Sequence, residues 1–162
     1  MRGKAILYFV VVLLFTSLVQ ADSKNEVRFI VGKSAFLDED TPFDHTVFGG
    51  AFAIGITERL RIEPQVLYMD GPENDKDFTI TGNIAYDLIQ SERLDLYIVG
   101  GAGLLHQRDQ IGTGPAFSSS EGTANGGAGI KIKLTDRLFV APEFRMGTEP
   151  LFLFTVSLGY KF

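Results

Sequence analysis

Two histidines and a run of three serines are the residues of this chain whose chemistry could serve catalysis. His106 precedes the run Ser118, Ser119 and Ser120, and His45 follows a stretch rich in aspartate. A serine hydroxyl becomes a nucleophile when a base accepts its proton and a third group orients that base. The spacing here specifies no such third group. We therefore interpret both histidines and the serines as polar loop residues, and no catalytic residue is assigned.

The acidic residues near position 40 could bind a divalent cation. Asp38, Glu39 and Asp40 are followed by Asp44, and carboxylate oxygens are ligands that calcium prefers. Their spacing differs from that of a known calcium-binding loop. The cluster is therefore interpreted as a solvated, charged loop, and the sequence assigns neither a metal ligand nor a cofactor.

Charged residues of both signs also occur within segments that are otherwise apolar. Arg61 and Glu63 lie two positions apart, and so do Glu143 and Arg145. Residues two positions apart on a β-strand point to the same face of the sheet. The four side chains are predicted to form an ion-pair network in the interior of a barrel. The alternative is that they line a narrow, gated conduit.

A repeated four-residue phrase indicates how the sheet is built. It reads T-E-R-L at 57–60, S-E-R-L at 91–94 and T-D-R-L at 135–138. Each copy lies between two stretches of alternating apolar and other residues, which is typical of a turn between antiparallel strands. Three such turns give four strand pairs, so the sequence predicts eight strands. Pro64 and Pro142 share one offset from their turns and are expected to need local relief, such as a bulge.

The alternation also predicts which face of each strand meets lipid. One face is aliphatic in the middle and aromatic at its ends, with Phe48, Tyr68, Phe78 and Phe152 far from the repeated turns and Tyr86, Tyr160 and Phe162 near them. Two aromatic belts around an aliphatic band are typical of a membrane barrel, whereas a soluble lipocalin-like barrel is apolar inside. The connections opposite the repeated turns should be longer, including one over 106–123, and the Gly- and Ser-rich stretch 111–127 should be flexible.

The N-terminus has the layout of a secretory signal peptide. Arg2 and Lys4 precede an apolar run over 5–19, which is shorter than the ~20 residues of a membrane-spanning helix. We expect cleavage after Ala21, which divides the chain into a signal peptide (1–21) and a barrel domain (22–162). The barrel domain would keep 13 of the 15 basic residues and all 20 acidic residues, for a formal charge of −7. This acidic balance argues against nucleic-acid binding.

The C-terminal residues G-Y-K-F at 159–162 resemble the G-Y-[RK]-F ending of the small OmpX/Ail and OmpA-like outer-membrane barrel families. The resemblance implies an eight-stranded, antiparallel, up-and-down transmembrane β-barrel in the bacterial outer membrane. It also implies insertion by the barrel assembly machinery, with Tyr160 and Phe162 as recognition positions.

The function expected from these features is a structural or surface-interaction role, in membrane integrity or adhesion, through extracellular loops. The expected partners are outer-membrane lipids and lipopolysaccharide, and the chain is expected to be monomeric, with its surface or host ligand unknown. Some eight-stranded barrels modify lipid A, so a lipid A-modifying enzyme is the alternative. The third alternatives are a narrow gated pore and a soluble lipocalin-like binder. Because the pattern of the lipid A deacylase family, H-x-S-N, does not occur here, the chain is not expected to be an enzyme.

Overall fold

The computed structural model describes residues 25–36, 43–72, 75–109 and 117–162. They form eight strands: β1 (Glu26–Ala35), β2 (His45–Gly55), β3 (Leu60–Asp70), β4 (Lys76–Gln90), β5 (Leu94–Asp109), β6 (Phe117–Lys133), β7 (Leu138–Gly147) and β8 (Phe152–Lys161). Within these described ranges there is no helix long and apolar enough to cross a membrane. The predicted signal peptide and the acidic residues 38–40 lie outside them.

The strands form one closed antiparallel barrel in which each strand pairs with its neighbours along the chain. Closure is made by β1 and β8, which pair from Glu26 opposite Lys161 to Ala35 opposite Phe152. In lipid, each unpaired backbone polar group costs several kcal/mol, so a sheet that crosses a bilayer must have no open edge. The prediction of an eight-stranded up-and-down barrel is confirmed.

The two faces of the sheet follow the predicted alternation. On β3, Arg61, Glu63 and Gln65 are buried in the barrel interior, here called the lumen, while Ile62 and Val66 are exposed on the outside. The other strands repeat this pattern, so large apolar side chains cover the outer wall. Phe48, Tyr68 and Phe78 lie side by side on β2, β3 and β4, which places part of one aromatic belt in register.

The repeated phrase forms the turns at one end of the barrel, here called the turn end. The Thr57 hydroxyl accepts hydrogen bonds from the backbone amides of Arg59 and Leu60, and the Thr135 hydroxyl accepts the equivalent pair from Arg137 and Leu138. A hydroxyl at the first position therefore stabilises the turn. In all three copies the arginine carbonyl accepts a hydrogen bond from a neighbouring strand, with donors at Asp87, Lys133 and Lys161.

The two matched prolines are accommodated without a bulge. The β2–β3 ladder is interrupted beside Pro64, between the pairs Ala51–Gln65 and Ile54–Ile62, and its register is the same on both sides. The β6–β7 ladder is interrupted beside Pro142 in the same way. Proline has no N–H to donate. The gap in the ladder therefore leaves no N–H of Pro64 or Pro142 without a partner. The bulge of the barrel lies instead between β4 and β5, at Asp87 and Ile89.

The expected long connection over 106–123 is a wrong prediction, and so is a flexible loop over 117–127, whereas residues 111–116 lie outside the described residues. The strands β5 and β6 extend past the predicted boundary and pair as far as Asp109 opposite Phe117, so only 110–116 connects them. Composition is a poor guide here because β5 supplies backbone partners from Phe117 onward, and β7 adds partners from Asn125. Small residues are also required in the lumen: a Cβ at Gly129 would lie 2.4 Å from the ring of Tyr97.

Candidate functional site

A continuous chain of ion pairs fills the lumen toward the turn end. Lys131 Nζ lies 2.5 Å from Glu26 Oε1, and Glu26 is also paired with Arg28 at 3.0 Å. Arg28 continues to Glu63 at 3.2 Å, and Glu63 accepts a 2.5 Å bond from Arg61 Nε. Arg61 ends the chain by donating to Asp87 of β4. These six side chains are the lower network.

Two aromatic rings inside the lumen carry the cations of the lower network. The Arg61 guanidinium lies 4.5 Å from the centre of the Tyr97 ring, and Lys131 Nζ lies 4.7 Å from the centre of the Phe139 ring. Arg28 contacts both rings, at 5.7 and 5.4 Å. A cation over an aromatic face gains energy without a hydrogen bond, and the gain increases when water is excluded. The two rings therefore stabilise the three cations, which the carboxylates contact on only part of their surface.

A second group, the upper network, is built on Arg145. Its Nε donates to Glu143 Oε1 at 2.6 Å, and its Nη1 donates to the side-chain oxygens of Asn83 at 2.9 Å and Asn125 at 3.2 Å. Tyr97 connects the two networks, because its hydroxyl donates to Glu143 at 2.8 Å while its ring contacts Arg61. Together the networks hold four cationic and four anionic side chains, namely Arg28, Arg61, Lys131, Arg145, Glu26, Glu63, Asp87 and Glu143.

The structure brings the four sequence-predicted residues into two pairs, Arg61 with Glu63 and Glu143 with Arg145. Further members are Lys131, which the alternation also places on the lumen face, and Glu26 and Arg28, which were not predicted as members. A signal for them existed, because they also occupy alternate, lumen-facing positions of their strands. Which of them meet across the lumen depends on the stagger between distant strands, which the alternation does not specify.

The side chains that fill the lumen are charged toward one end and apolar toward the other. Toward the end opposite the repeated turns, here called the loop end, it is filled by an apolar cluster of Ile30, Val47, Ala51, Leu67, Met69, Leu105 and Leu153. Between this cluster and Arg145 lies a cavity of about 20 Å³, which is close to the volume needed for a single water molecule. At the turn end, a pocket of about 400 Å³ opens below Arg61, Asp87 and Lys131. The described side chains therefore fill the barrel between the two ends.

The structure corrects the interpretation of both histidines as loop residues. His45 begins β2, and its side chain is fully buried at the loop end, where Asp44 and Asp75 contact its two ring nitrogens. His106 lies on β5, exposed on the outer wall, and its Nδ1 is 2.8 Å from the Ser120 hydroxyl on β6. Ser118 and Ser119 also belong to β6. Strand pairing across β5 and β6, which the loop interpretation omitted, brings His106 to Ser120.

The two predicted assembly positions lie at the barrel seam. Tyr160 is opposite Val27 of β1 and Leu138 of β7, and its hydroxyl accepts a 3.2 Å hydrogen bond from Arg137. The backbone amide of Phe162 donates to the Asn25 carbonyl at 3.1 Å, and its ring lies 6.0 Å from that of Phe52. Tyr160 thus lies on β8 and Phe162 directly follows it, both beside the start of β1.

The closed eight-stranded sheet, the apolar outer wall and the polar lumen define a small β-barrel of the bacterial outer-membrane type. Solved structures with the same fold include the N-terminal barrel domain of Pseudomonas aeruginosa OprF, at a TM-score of 0.66 and 17% identity, covering 88% of this chain and 100% of that one. The attachment invasion locus protein Ail of Yersinia pestis is similar at a TM-score of 0.58 and 14% identity, covering 86% and 97%. The Neisserial surface protein A is similar at 0.58 and 12%, covering 86% and 95%. No protein-family model and no curated protein sequence matches the chain.

Proposed function

We propose that the protein is a non-conducting outer-membrane barrel with a structural and surface-interaction role, exercised through its loop end. The observation that carries this proposal is the filled lumen. Arg145 is held by four side chains, and the apolar cluster lies beyond it toward the loop end. An eight-stranded barrel has an interior that side chains just fill. With the lumen filled by the described side chains, the outer wall and the two ends are the surfaces that we propose for function.

Conductance tests the closed state of the lumen. We expect the purified protein in a planar bilayer to show no stepwise current at moderate voltage, because moving Arg145 would break its hydrogen bonds to Glu143 and Asn83. An Arg145→Ala variant, which removes the largest fully buried side chain, should show more frequent current steps than the wild type. Steady conductance by the wild-type protein would contradict the proposal and favour the gated pore.

The cellular role is tested by deletion and complementation. A strain without the protein should become sensitive to SDS with EDTA if the barrel supports membrane integrity, and the wild-type gene should restore resistance. A version in which residues 110–116 are replaced by a short Gly-Ser linker keeps all eight strands. We expect it to restore resistance but to lose adhesion of the cells to extracellular-matrix proteins. A deletion strain that is normal in both assays would contradict the proposal.

The proposed partners are outer-membrane lipids, including lipopolysaccharide, and the barrel assembly machinery. The apolar outer wall supports the first, and the exposed position of Tyr160 on β8, the strand that pairs with β1, supports the second. We expect Phe162→Ala to lower the amount of folded protein in the outer membrane, whereas Lys161→Ala, one residue away, should not. Equal amounts of the two variants would remove Phe162 as a recognition position.

One observation favours the second candidate function, a lipid-modifying enzyme. The His106 ring and the Ser120 hydroxyl are hydrogen-bonded on the outer wall, where a lipid acyl chain could reach them. Within the described part of the chain, no carboxylate contacts the His106 ring, so the third component of a catalytic triad is not shown. A lipid A mass profile that changes with the gene, and that reverts in both His106→Ala and Ser120→Ala, would support the enzyme over the structural role.

A further inference from the structure

A buried histidine at the loop end is surrounded by carboxylates from two separate connections. His45 Nδ1 lies 2.9 Å from Asp44 Oδ1, and His45 Nε2 lies 2.9 Å from Asp75 Oδ2 and 3.9 Å from Asp77 Oδ2. The His45 side chain is fully buried and that of Asp77 is nearly so. His45 is the first residue of β2 and Asp44 precedes it, whereas Asp75 precedes β4 and Asp77 is the second residue of that strand.

Both ring nitrogens of His45 lie 2.9 Å from a carboxylate oxygen, Nδ1 from Asp44 and Nε2 from Asp75. When Nδ1 donates its proton to Asp44 and a cation replaces the proton on Nε2, the Nε2 lone pair is directed at the space between the ring and Asp75 and Asp77. Metal-bound histidines almost always donate their second ring N–H to a carboxylate or carbonyl in this way, which fixes the ring and increases its basicity. Asp44 would be the orienting partner, and Nε2 would be the ligand.

The distances among the candidate ligand atoms fit an ion of ordinary size. Tetrahedral zinc with bonds of about 2.0–2.1 Å places its ligand atoms roughly 3.3–3.5 Å apart. The Nε2 distances to the two carboxylates, 2.9 and 3.9 Å, lie on either side of that value, and all three ligand atoms lie within 4.8 Å of one another. Closing the longest of these separations, which is at most 4.8 Å, to the tetrahedral value requires a change of at most about 1.5 Å.

Two further features point to a ligand between these groups. Asp75 Oδ1 is buried and has no hydrogen-bond partner among the described residues. A buried carboxylate oxygen without a partner is costly, and a cation would satisfy it. Gly71 lies against the ring so closely that a Cβ there would be 2.1 Å from His45 Nε2. Glycine at this position therefore lets the chain pack against the ring without displacing the proposed ligand nitrogen.

We propose that His45, Asp75 and Asp77 bind one divalent transition-metal ion, such as Zn²⁺, at the loop end of the barrel. One imidazole nitrogen with two carboxylate oxygens suits zinc or manganese better than calcium or magnesium, which take oxygen ligands alone. Three protein ligands leave at least one position for water. A bound ion would fasten the start of β2 to the connection between β3 and β4.

The test uses the full barrel, purified in detergent without a histidine tag, stripped with a chelator and titrated with Zn²⁺ in a calorimeter. We expect one Zn²⁺ per chain and a higher temperature for the gel-mobility change that accompanies barrel unfolding. The same concentration of Mg²⁺ should give neither effect. His45→Gln and Asp75→Asn should each weaken Zn²⁺ binding at least tenfold. Gly71→Ala should weaken it too, although it leaves every ligand in place.

Matched controls separate this site from nonspecific binding. His106→Gln removes the other of the two histidines, and Asp70→Asn removes an exposed carboxylate near the same end. Both should bind Zn²⁺ like the wild type. The proposal is overturned if the wild type binds no Zn²⁺, if His106→Gln abolishes binding, or if all three site variants, shown by gel mobility to be folded, bind as the wild type does.

Discussion

The replacement Glu63→Gln tests how much the lower network contributes to stability. Glu63 is fully buried and accepts hydrogen bonds from Arg61 and lies within ion-pair distance of Arg28. Glutamine keeps the size of the side chain but leaves four cations against three anions in the lumen networks. Removing one partner of a buried ion pair costs about 3–5 kcal/mol of unfolding free energy. Arg28 retains Glu26 and Arg61 retains Asp87, so we expect a value near the lower limit, about 3 kcal/mol.

A second variant separates charge balance from lost contacts. In Glu63→Gln combined with Arg28→Gln, one charge of each sign is removed and the lumen is neutral again. Glu26 keeps Lys131, and Arg61 keeps Asp87. We therefore expect the double variant to lose less stability than the sum of the two single variants, with a coupling energy of about 1–3 kcal/mol.

The assay is urea unfolding in lipid vesicles, followed by circular dichroism and by the mobility of unheated samples on gels. Tryptophan fluorescence is not an option because the chain has no tryptophan. The control is Glu92→Gln, an exposed residue of the second repeated turn, for which we expect a change within about 0.5 kcal/mol. If Glu63→Gln is no less stable than Glu92→Gln, or if the two lumen replacements are additive, then the argument from charge balance is refuted.

Three further perturbations test the lumen packing, the repeated turn and the outer wall. Gly129→Ala places a methyl group 2.4 Å from the Tyr97 ring and should cost about 1–3 kcal/mol of unfolding free energy in the same urea assay. Gly122→Ala, whose methyl group meets nothing within 4 Å, should cost none. Equal losses of stability would contradict the packing argument. Thr135→Ala removes the acceptor of two backbone hydrogen bonds and should cost about 1 kcal/mol of unfolding free energy. Thr135→Ser keeps the hydroxyl and should retain most of the stability. Equal stability of the two variants would mean that the hydroxyl does not stabilise the turn. Ile80→Lys on the outer wall should cost about 2–4 kcal/mol in vesicles, against at most about 1 kcal/mol for Leu134→Lys at the turn end; the reverse order would contradict the assignment of the lipid-facing band.

The sequence predicts which residues share one face of a strand, because side chains alternate between the two faces. It leaves open which residues of different strands meet, because that depends on how far the strands are displaced along the barrel axis. The shared face of Arg61 and Glu63 follows from their spacing, because the residues are neighbours on one strand. The pairing of Lys131 with Glu26 spans 105 residues and depends on how far each strand is displaced along the barrel axis. His45 is a similar case, because its carboxylate partner Asp75 belongs to a different connection.

The wrong prediction for β6 has a physical reason of its own. Residues 117–127 have the composition of a flexible segment, and composition favours a loop when no partner is considered. In the barrel, β5 supplies backbone partners from Phe117 onward, with its Gly103 opposite Thr123, and β7 adds partners from Asn125, with its Arg145 opposite Gly127. The lumen also selects small residues, because Tyr97 occupies the space beside Gly129. Tertiary context therefore decides the conformation of this segment.

The pairing of β1 with β8 means that the barrel closes only when its last strand pairs with its first. Glu26 and Arg28 are among the earliest strand residues made, yet the strand that completes the ring around them ends at Lys161. Until that strand arrives, the sheet is an open ribbon whose charged side has no opposite wall, and such a ribbon is costly to place in lipid. The charges within β1 thus discourage insertion of partial chains. The lumen charges are shielded from the bilayer only in a chain that includes β8.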